Sequence, residues 1–224
     1  MSGPAGGAAA FFDVDGTIVA SDIVRYGVGI RTQEMSPAAR RVWTAAYLRK
    51  VPWLVFLDML DREAFQKSFY RIYAGYRAEE VASRAERLFE EYVRPRIRLQ
   101  AAERVAWHRA QGDRVVLVTG SLVDVVAPLA RHLGVADFLA PSLEVVDGVA
   151  TGALDGPPIA GRRKAEAVAA FAAREGLDLS NAWAYGDAMD DVTMLEEVGR
   201  PGVVNPGRKL ERLARARGWD VWRW

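Results

Sequence analysis

The chain contains 224 residues, of which 50% are hydrophobic and 26% are charged, a composition typical of a globular protein with a substantial core. Its 30 basic and 29 acidic side chains leave a net charge of +1, so we expect no nucleic-acid partner. The absence of cysteine excludes disulfides, thiolate metal sites and cysteine nucleophiles. This composition fits the reducing cytoplasm, where we expect the protein to be located.

Two apolar segments of the sequence lack the features of a secretory signal or a membrane span. Residues 8–12 lead directly into Asp13 without the basic residues that precede the apolar run of a secretory signal, so we interpret them as a first strand. Residues 51–60 contain Pro52 and Asp58 and are too short to span a bilayer. We therefore expect no stable insertion into a membrane.

Short apolar runs that end in polar turns alternate with helical stretches along most of the chain. These runs predict strands, and the alternation predicts an α/β fold with a doubly wound, mostly parallel sheet. Ligands of such sheets bind beyond the carboxyl ends of the strands. The predicted strands are residues 9–14, 115–118, 182–185, 203–204 and 219–222, and the predicted helices are residues 123–133, 164–175, 191–198 and 209–217.

Residues 21–97 differ from the rest because their apolar residues follow helical spacing and no strand pattern is evident. We predict that they form a helical cap domain inserted into a core made of residues 1–20 and 98–224. Pro95 disfavours helix at Arg94, which predicts a non-helical return linker there. Residues 143–146 and 149–152, joined by an Asp-Gly pair, predict a hairpin. The two predicted helical faces are Phe65, Phe69, Ile72, Tyr73 and Val81, Ala85, Leu88, Tyr92.

The first candidate motif lies at the end of the first predicted strand. Asp13 can attack phosphorus and form an acyl phosphate, and Asp15 can protonate the leaving group and then activate water. Gly16 permits a tight turn whose backbone N–H groups can bind phosphate oxygens. An ordinary acidic turn between a strand and a helix is the alternative for this motif alone.

The second motif follows the strand at residues 182–185 and contains three acids, Asp187, Asp190 and Asp191. Mg²⁺ prefers oxygen ligands and commonly uses one or two carboxylates with water and phosphate. We predict that Asp187 and Asp13 hold Mg²⁺, with Asp191 orienting a ligand from behind. Acids at a helix N-terminus that only complement the helix dipole are the alternative, and they account for Asp190 and Asp191 better than for Asp187.

Three further residues complete the predicted phosphate site. The hydroxyl of Thr119 and the N–H of Gly120 can donate to phosphate oxygens at the end of the second strand. Lys164, at the start of a predicted helix, can neutralise the charge of the phosphate and the nucleophile. Each of these residues alone has an ordinary structural explanation, but their order along the chain with the two acidic motifs is far more specific.

With these motifs the chain resembles the haloacid dehalogenase superfamily of phosphohydrolases. More narrowly, it is similar to the phosphoserine-phosphatase-like subclass IB, in which a helical cap is inserted after the first motif. The resemblance implies Asp13 as nucleophile, Asp15 as acid and base, and Thr119 and Lys164 on the phosphate. It also implies Mg²⁺ held by Asp13, the backbone carbonyl of Asp15 and Asp187, with Asp191 in support.

The chain departs from phosphoserine phosphatases at positions that contact the substrate. Their glutamate after the first motif corresponds to Asp22, which is a candidate for binding a substrate amine or a simple helix N-cap. They have asparagine in place of Asp190, and Ser-Gly-Gly where this chain has Thr-Gly-Ser at residues 119–121. We therefore treat Asp22, Ser121 and Asp190 as candidate substrate contacts and leave the substrate open.

The predicted function is a Mg²⁺-dependent phosphomonoesterase that acts on a small phosphorylated metabolite. A phosphotransferase or mutase on the same core is one alternative, and a lipid-phosphate phosphatase or lipid-binding module that uses the cap is another. The aromatic residues of the cap, Trp43, Tyr47, Trp53 and Phe56, are expected to pack in the core, with a membrane-contacting surface as the alternative. His108 and His132 are expected to be structural. The oligomeric state is left open.

Overall fold

The computed structural model describes residues 8–224, except for the side chains of Asp58, Met59 and Arg62. Six of its strands form one parallel sheet in the order β3-β2-β1-β6-β7-β8, and the other two form a separate antiparallel hairpin. The strands are β1 (Ala9–Asp13), β2 (Arg114–Val118), β3 (Asp137–Leu139), β4 (Ser142–Val146), β5 (Val149–Asp155), β6 (Trp183–Gly186), β7 (Arg200–Val204) and β8 (Asp220–Trp222).

Helices connect these strands and also fill the long segment between β1 and β2. The helices are α1 (Ile23–Thr32), α2 (Pro37–Leu48), α3 (Val51–Leu60), α4 (Arg62–Phe69), α5 (Ala78–Leu88), α6 (Leu99–Ala110), α7 (Val123–Leu133), α8 (Arg162–Glu175), α9 (Val192–Glu196) and α10 (Arg208–Arg217). Within residues 8–224, no helix has the length and apolar character needed to cross a membrane.

Both faces of the sheet are covered, because successive side chains of a strand point to opposite sides. Ala10 and Phe12 of β1 join a core with side chains of α6 and α7. Ala9 and Phe11 join a second core with side chains of α8, α9 and α10. This arrangement confirms the predicted α/β fold with a doubly wound parallel sheet.

The sheet order places β1 at the centre, between β2 and β6. All three strands run in the same direction, so the residues that follow them lie at one edge of the sheet. Those residues include the acidic motif that begins at Asp13, Thr119 after β2, and Asp187 after β6. The topology therefore brings together the segments on which the sequence prediction depends.

The predicted helical segment between the first two strands contains helices, turns and isolated β-bridges at Arg77 and Ile97, and no strand. Its division into a domain separate from the core stays a prediction, and residues 1–7 of the predicted core lie outside the described residues. The predicted hairpin is confirmed as β4 and β5, and its Asp147 and Gly148 have φ of 50° and 77°. Two consecutive residues with positive φ are typical of a tight two-residue turn.

The sequence predictions were wrong at three places. The edge strand β3 was not predicted, because three residues are too short a run to show a pattern. The segment at Arg94 is helical and not a linker, with φ −52° and ψ −46°. Pro95 is accommodated because it lies in the first turn of a short 3-10 helix (Arg94–Arg96), where its missing N–H has no partner to lose.

The third correction concerns the aromatic residues of α2 and α3. Trp53 and Phe56 were expected in the core, but both are more than half exposed. The reason is the rotation of α3, which turns Leu54 inward and the neighbouring aromatic side chains outward. Trp43 and Tyr47 are partly buried and stack on each other, with ring centroids 5.0 Å apart.

Candidate active site

Asp13 lies at the carboxyl end of β1, where it is buried and in contact with a lysine. The ammonium of Lys164, in the first turn of α8, donates a hydrogen bond to Oδ1 of Asp13 at 2.5 Å. The other carboxylate oxygen of Asp13, Oδ2, is buried and has no hydrogen-bond partner. One oxygen is thus held by Lys164, and the other is free to interact with a group that enters the site.

Lys164 is placed by a second carboxylate, that of Asp191, which follows β6. Oδ1 of Asp191 accepts from the ammonium at 2.6 Å, and Oδ2 accepts from the N–H groups of Asp187 and Ala188, each at 3.1 Å. Burial alone would lower the pKa of Lys164, but Asp13 and Asp191 outweigh it and raise that pKa. Lys164 is therefore a fixed cation, and Asp191 ties it to the loop after β6.

Asp13, Asp187 and Asp191 form a cluster in which one carboxylate oxygen from each lies within 4.8 Å of the others. Burial, reinforced by the charge of Asp191, raises the pKa of Asp13 well above its usual value. The same causes raise the pKa of Asp187 to about 7. Three carboxylates facing one lysine leave an excess of negative charge, so the cluster is suited to bind a metal cation.

The donor set fits Mg²⁺ in its chemistry, because every ligand atom offered is a carboxylate oxygen. Among the described residues, the Asp187 carboxylate accepts only the Thr17 hydroxyl, on Oδ1 at 3.4 Å, whereas both oxygens of Asp191 accept hydrogen bonds from Lys164 or from backbone N–H groups. This division agrees with a supporting position for Asp191. The side chain of Asp15 is not part of the cluster.

Asp15 is instead held by two hydroxyl groups from the loop after β2. Thr119 and Ser121 both donate to its Oδ2, each at 2.8 Å. Its Oδ1 is buried without a hydrogen-bond partner, and burial raises the pKa of this carboxyl group. An aspartate fixed in this way, with a raised pKa, is suited to give and take a proton.

The positions of Thr119 and Ser121 differ from those expected from the sequence. Thr119 was predicted to contact phosphate and Ser121 to contact substrate, but both side chains are fully buried and directed at Asp15. The Thr119 hydroxyl also accepts the N–H of Ser121 at 2.9 Å. In this structure the two residues orient Asp15 and do not line the cavity.

Two predicted phosphate-binding glycines lie where a side chain would not fit. Gly16 has φ of +93°, and a Cβ there would lie 2.1 Å from Oδ2 of Asp187. Its N–H donates to the carbonyl of Val19 at 2.8 Å and so closes the turn. A Cβ on Gly120 would lie 2.1 Å from Nε2 of Gln66. Both glycines keep the backbone close to groups of the site.

A cavity of about 240 Å³ opens above Asp13, between the sheet edge and the helices that follow β1. Larger cavities exist elsewhere in the protein, but this one contains the acidic cluster and Lys164. Its lining includes Asp13, Asp15, Gly16, Ser21, Asp22, Ile23, Gln66, Gly120, Ile159, Lys164, Asp187, Ala188, Asp190 and Asp191.

Asp22 and Asp190, the two remaining candidates, both line this cavity. Asp22 is the N-cap of α1, where it accepts the N–H of Arg25 at 3.0 Å and pairs with its guanidinium at 3.2 Å. The two sequence interpretations of Asp22, as a helix cap and as a residue facing the substrate, are thus compatible. Asp190 has no hydrogen bond to another described side chain.

Gln66 is a cavity residue that the sequence did not reveal. It lies on α4, is buried, and its Oε1 has no hydrogen-bond partner. The sequence could not identify it, because a single glutamine on a helix is usually a solvent-exposed residue. Only the packing of α4 over Gly120 brings this amide to the cavity.

Comparison with known proteins identifies the family to which this arrangement belongs. The family model for haloacid dehalogenase-like hydrolases matches residues 10–196, which include all the site residues described above. The chain belongs to this family. The sequence-based resemblance is confirmed.

A relative agrees with this assignment, and solved structures share the fold. The phosphoserine phosphatase SerB1 of Mycobacterium tuberculosis is 35% identical over 96% of this chain and 70% of its own length. A Bordetella pertussis protein of unknown function has a TM-score of 0.81 at 30% identity, covering 96% of this chain and 98% of its own. A phospho-aspartyl intermediate analogue of phosphoserine phosphatase has a TM-score of 0.70 at 20% identity, with 96% and 92% covered. The predicted enzyme class, a phosphatase, is confirmed for this haloacid dehalogenase-like hydrolase.

Proposed function

We propose that the protein is a Mg²⁺-dependent phosphomonoesterase that forms a covalent acyl phosphate on Asp13. The observation that carries this proposal is the state of the Asp13 carboxylate: one oxygen is held by Lys164, and the other is buried and has no partner. A nucleophile needs one oxygen free to approach phosphorus and a nearby cation to limit charge repulsion. The Bordetella pertussis neighbour has no stated activity, so the proposal depends on this geometry and on the family.

In the first step, Oδ2 of Asp13 attacks the phosphorus atom, and the bond from phosphorus to the ester oxygen breaks. Asp15 donates its proton to the departing alkoxide: burial raises the pKa of its carboxyl group and so favours the protonated form that the step needs, and Thr119 and Ser121 hold the group in place. In the second step, Asp15 accepts a proton from water, whose oxygen displaces Asp13 from phosphorus and releases inorganic phosphate.

The remaining residues offset the negative charge of Asp13 and of the phosphate. Lys164 neutralises part of the charge of Asp13 and of the phosphate, and Asp191 keeps Lys164 in position. Asp13 and Asp187, with the backbone carbonyl of Asp15, would hold Mg²⁺, which when bound supplies positive charge to the phosphate oxygens. Gly16 and Gly120 allow the backbone to approach the phosphate, and Thr119 acts by holding Asp15.

The substrate is a small phosphomonoester that enters the cavity above Asp13. The name of the mycobacterial relative makes phosphoserine one candidate. Asp22 and Asp190 line the cavity and are acidic, so we propose that they contact the non-phosphate part of the substrate and favour an amine there. Phosphoserine and a phosphorylated amino alcohol without a carboxylate should be compared directly to test this preference.

The experiment is release of phosphate from an aryl phosphate with Mg²⁺. We expect activity from the wild type, none from Asp13→Asn, and normal activity from Asp155→Asn, which alters an exposed aspartate on β5. Full activity of Asp13→Asn would refute the covalent mechanism.

A labelled substrate tests the intermediate itself. Because an aryl leaving group departs without a proton, Asp15→Asn should still form the phosphorylated protein and hydrolyse it slowly. Acid-quenched Asp15→Asn should therefore carry close to one labelled phosphate per chain, and the double variant with Asp13→Asn should carry none. Equal labelling of both variants would assign the nucleophile elsewhere.

A further inference from the structure

Helices α2 and α3 expose more large apolar side chains than any catalytic role explains. Trp53, Phe56 and Leu60 of α3 are 57%, 51% and 68% exposed. Val42 and Leu48 of α2 are also exposed, and no residue of α2 is buried. We call these five side chains the α2–α3 surface. Contiguous exposed apolar surface is uncommon on soluble proteins and commonly marks a contact with another molecule.

Three exposed side chains of α3 lie together on one side of the helix, whereas Val55, which is 52% exposed, lies on another side. Trp53, Phe56 and Leu60 occupy positions i, i+3 and i+7, which share a helical face. The rings of Trp53 and Phe56 are in contact, with centroids 5.7 Å apart. Leu54 faces the opposite way, is buried, and joins the core. The helix is therefore attached to the protein by one side and presents an aromatic stripe on the other.

Basic residues accompany this stripe. Residues 37–60 contain four basic residues and one acid, Asp58, although the whole chain is nearly balanced with 30 basic and 29 acidic residues. Arg41, Arg49 and Lys50 are exposed and form no hydrogen bond or ion pair with a described side chain, and Arg40 donates only to the carbonyl of Thr32. These four charges are not neutralised by neighbouring side chains that the structure describes, so they are available to an anionic partner.

We propose that the α2–α3 surface binds the surface of a membrane that contains anionic phospholipids. The aromatic stripe of α3, with Arg49 and Lys50 directly before it in the chain and Arg40 and Arg41 on α2, is suited to the headgroup region of a bilayer. Its aromatic side chains would reach the acyl chains, and its basic residues would meet anionic headgroups. Such binding needs no membrane-spanning helix, in agreement with the absence of one from residues 8–224.

Charge favours a lipid surface over a second copy of the chain. In a two-fold symmetric dimer the same surface of each subunit faces its counterpart, so the basic residues would meet basic residues. Anionic headgroups, in contrast, complement both the charge and the apolar stripe. Contact with a membrane would also bring the catalytic cavity close to it, because α3 packs against α4, whose Gln66 lines that cavity.

The test is co-sedimentation of the protein with vesicles of two compositions. We expect binding to phosphatidylcholine vesicles that contain phosphatidylglycerol, weak binding to phosphatidylcholine alone, and loss of binding in high salt. The aromatic variant Trp53→Ala/Phe56→Ala and the charge variant Arg49→Gln/Lys50→Gln should each reduce the partition coefficient at least about tenfold. Aryl phosphatase activity in solution, which does not involve this surface, verifies that each variant is folded.

Matched controls replace the same residue types on other helices, α6 and α10. Trp107→Ala removes a partly exposed tryptophan of α6, and Arg208→Gln/Lys209→Gln removes two exposed charges of α10; both should bind vesicles as the wild type does. Absence of binding to anionic vesicles, equal binding to both compositions, or unchanged binding of the charge variant would overturn the proposal. A wild-type dimer in sedimentation velocity that the aromatic variant abolishes would assign the surface to a second copy instead.

Discussion

Among the side chains that the structure describes, charge is buried in two places, and the two differ in whether that charge is compensated. In the helical segment, Arg84 of α5 is buried and pairs with Glu34 and Glu80, donates to the carbonyl of Ile30, and lies 4.7 Å from the centre of the Tyr76 ring. Because Arg87 also pairs with Glu34, two cations face two carboxylates, and only Nε of Arg84 lacks a partner.

In the catalytic cluster, by contrast, the negative charge exceeds the positive charge. Lys164 faces Asp13 and Asp191 with Asp187 close by, and oxygens of Asp13 and Asp15 are buried without partners. Burial and mutual repulsion raise the pKa values of these acids. The comparison indicates that a compensated cluster serves the fold, whereas an uncompensated one is kept for a ligand that completes it. Four predictions test this distinction, and the largest effects are given first.

Replacing the catalytic cation, Lys164, should strongly reduce the rate of phosphate release. Lys164→Met removes the charge that offsets Asp13 and the phosphate, so we expect kcat for an aryl phosphate to fall by about a hundredfold to a thousandfold. Steady-state kinetics with saturating Mg²⁺ measures this effect. Lys67→Met, which removes an exposed lysine of α4, is the matched control and should retain wild-type kcat. A Lys164→Met enzyme with near-normal kcat would show that the cluster does not act on phosphate.

Replacing the structural cation, Arg84, should lower stability and leave catalysis unchanged. Arg84→Met removes the hydrogen bond to the carbonyl of Ile30 and the ion pairs with Glu34 and Glu80, and we expect the free energy of unfolding to fall by about 1–2 kcal/mol. The kcat per folded molecule should be unchanged, because Arg84 does not line the catalytic cavity. Chemical denaturation and active-site-normalised kinetics measure the two quantities.

The control for Arg84 is Arg94→Met, which removes a cation whose ion pair with Glu90 is exposed. Exposed ion pairs contribute little, so its unfolding midpoint should remain close to that of the wild type. If Arg84→Met were as stable as this control, the compensated cluster would have no role in stability.

Removing one acid from the catalytic cluster should stabilise the metal-free protein. Asp187 has its pKa raised to about 7 from an ordinary value of 3.8, so ionising it in the folded state costs stability as pH rises through that interval. Asp187→Asn removes this cost, and at pH 8 in EDTA we expect unfolding to require about 1 kcal/mol more, or a Tm about 2–4 °C higher.

With Mg²⁺ present, we expect the wild type to be more stable than Asp187→Asn, the reverse of their order in EDTA. This reversal distinguishes the charge effect from a general stabilisation by the substitution. Mg²⁺ should raise the Tm of the wild type by binding the folded state, and should have little effect on Asp187→Asn. Near pH 4 the metal-free proteins should have similar stability, because Asp187 is protonated in the folded wild type. A variant that is less stable than the wild type in EDTA at pH 8 would contradict the charge excess inferred here.

The same comparison explains which parts of the site could be predicted. Asp13, Thr119 and Asp187 each follow a short apolar run, and parallel strands bring such positions to one edge whatever the details of packing. The partner of Thr119 could not be predicted, since phosphate and Asp15 are both acceptors within reach of a hydroxyl at that strand end. The structure resolves this ambiguity by burying Thr119 against Asp15.

Features that depend on how one helix packs on another could not be predicted from the sequence. Gln66 reaches the cavity only because α4 lies over Gly120. The exposure of Trp53 and Phe56 depends on which side of α3 meets the core, and eight hydrophobic residues among ten give no periodic signal to decide it. The prediction of core packing therefore failed where both sides of the helix were apolar.

The smallest expected effect concerns a third buried group, His108 of α6, which is neutral and fully paired. Its Nδ1 lies 2.7 Å from Oδ2 of Asp113, and its Nε2 lies 2.9 Å from the hydroxyl of Tyr185. Burial lowers the pKa of His108 despite the opposing effect of Asp113. The folded protein therefore resists protonation there, whereas the unfolded chain binds a proton near pH 6.5.

It follows that the unfolded state binds more protons below about pH 6.5, so His108 should make stability decline as pH falls from 7 to 5.5. His108→Gln removes this contribution, and the difference in unfolding free energy between wild type and variant should shrink by up to about 1 kcal/mol over that interval. His132→Gln, which alters an exposed histidine of α7, is the control. A difference that stays constant with pH would mean that folding leaves the pKa of His108 unchanged and would contradict this prediction. A difference that grows as pH falls would mean that His108 is protonated in the folded protein and that this cluster, like that of Arg84, is held by a compensated charge.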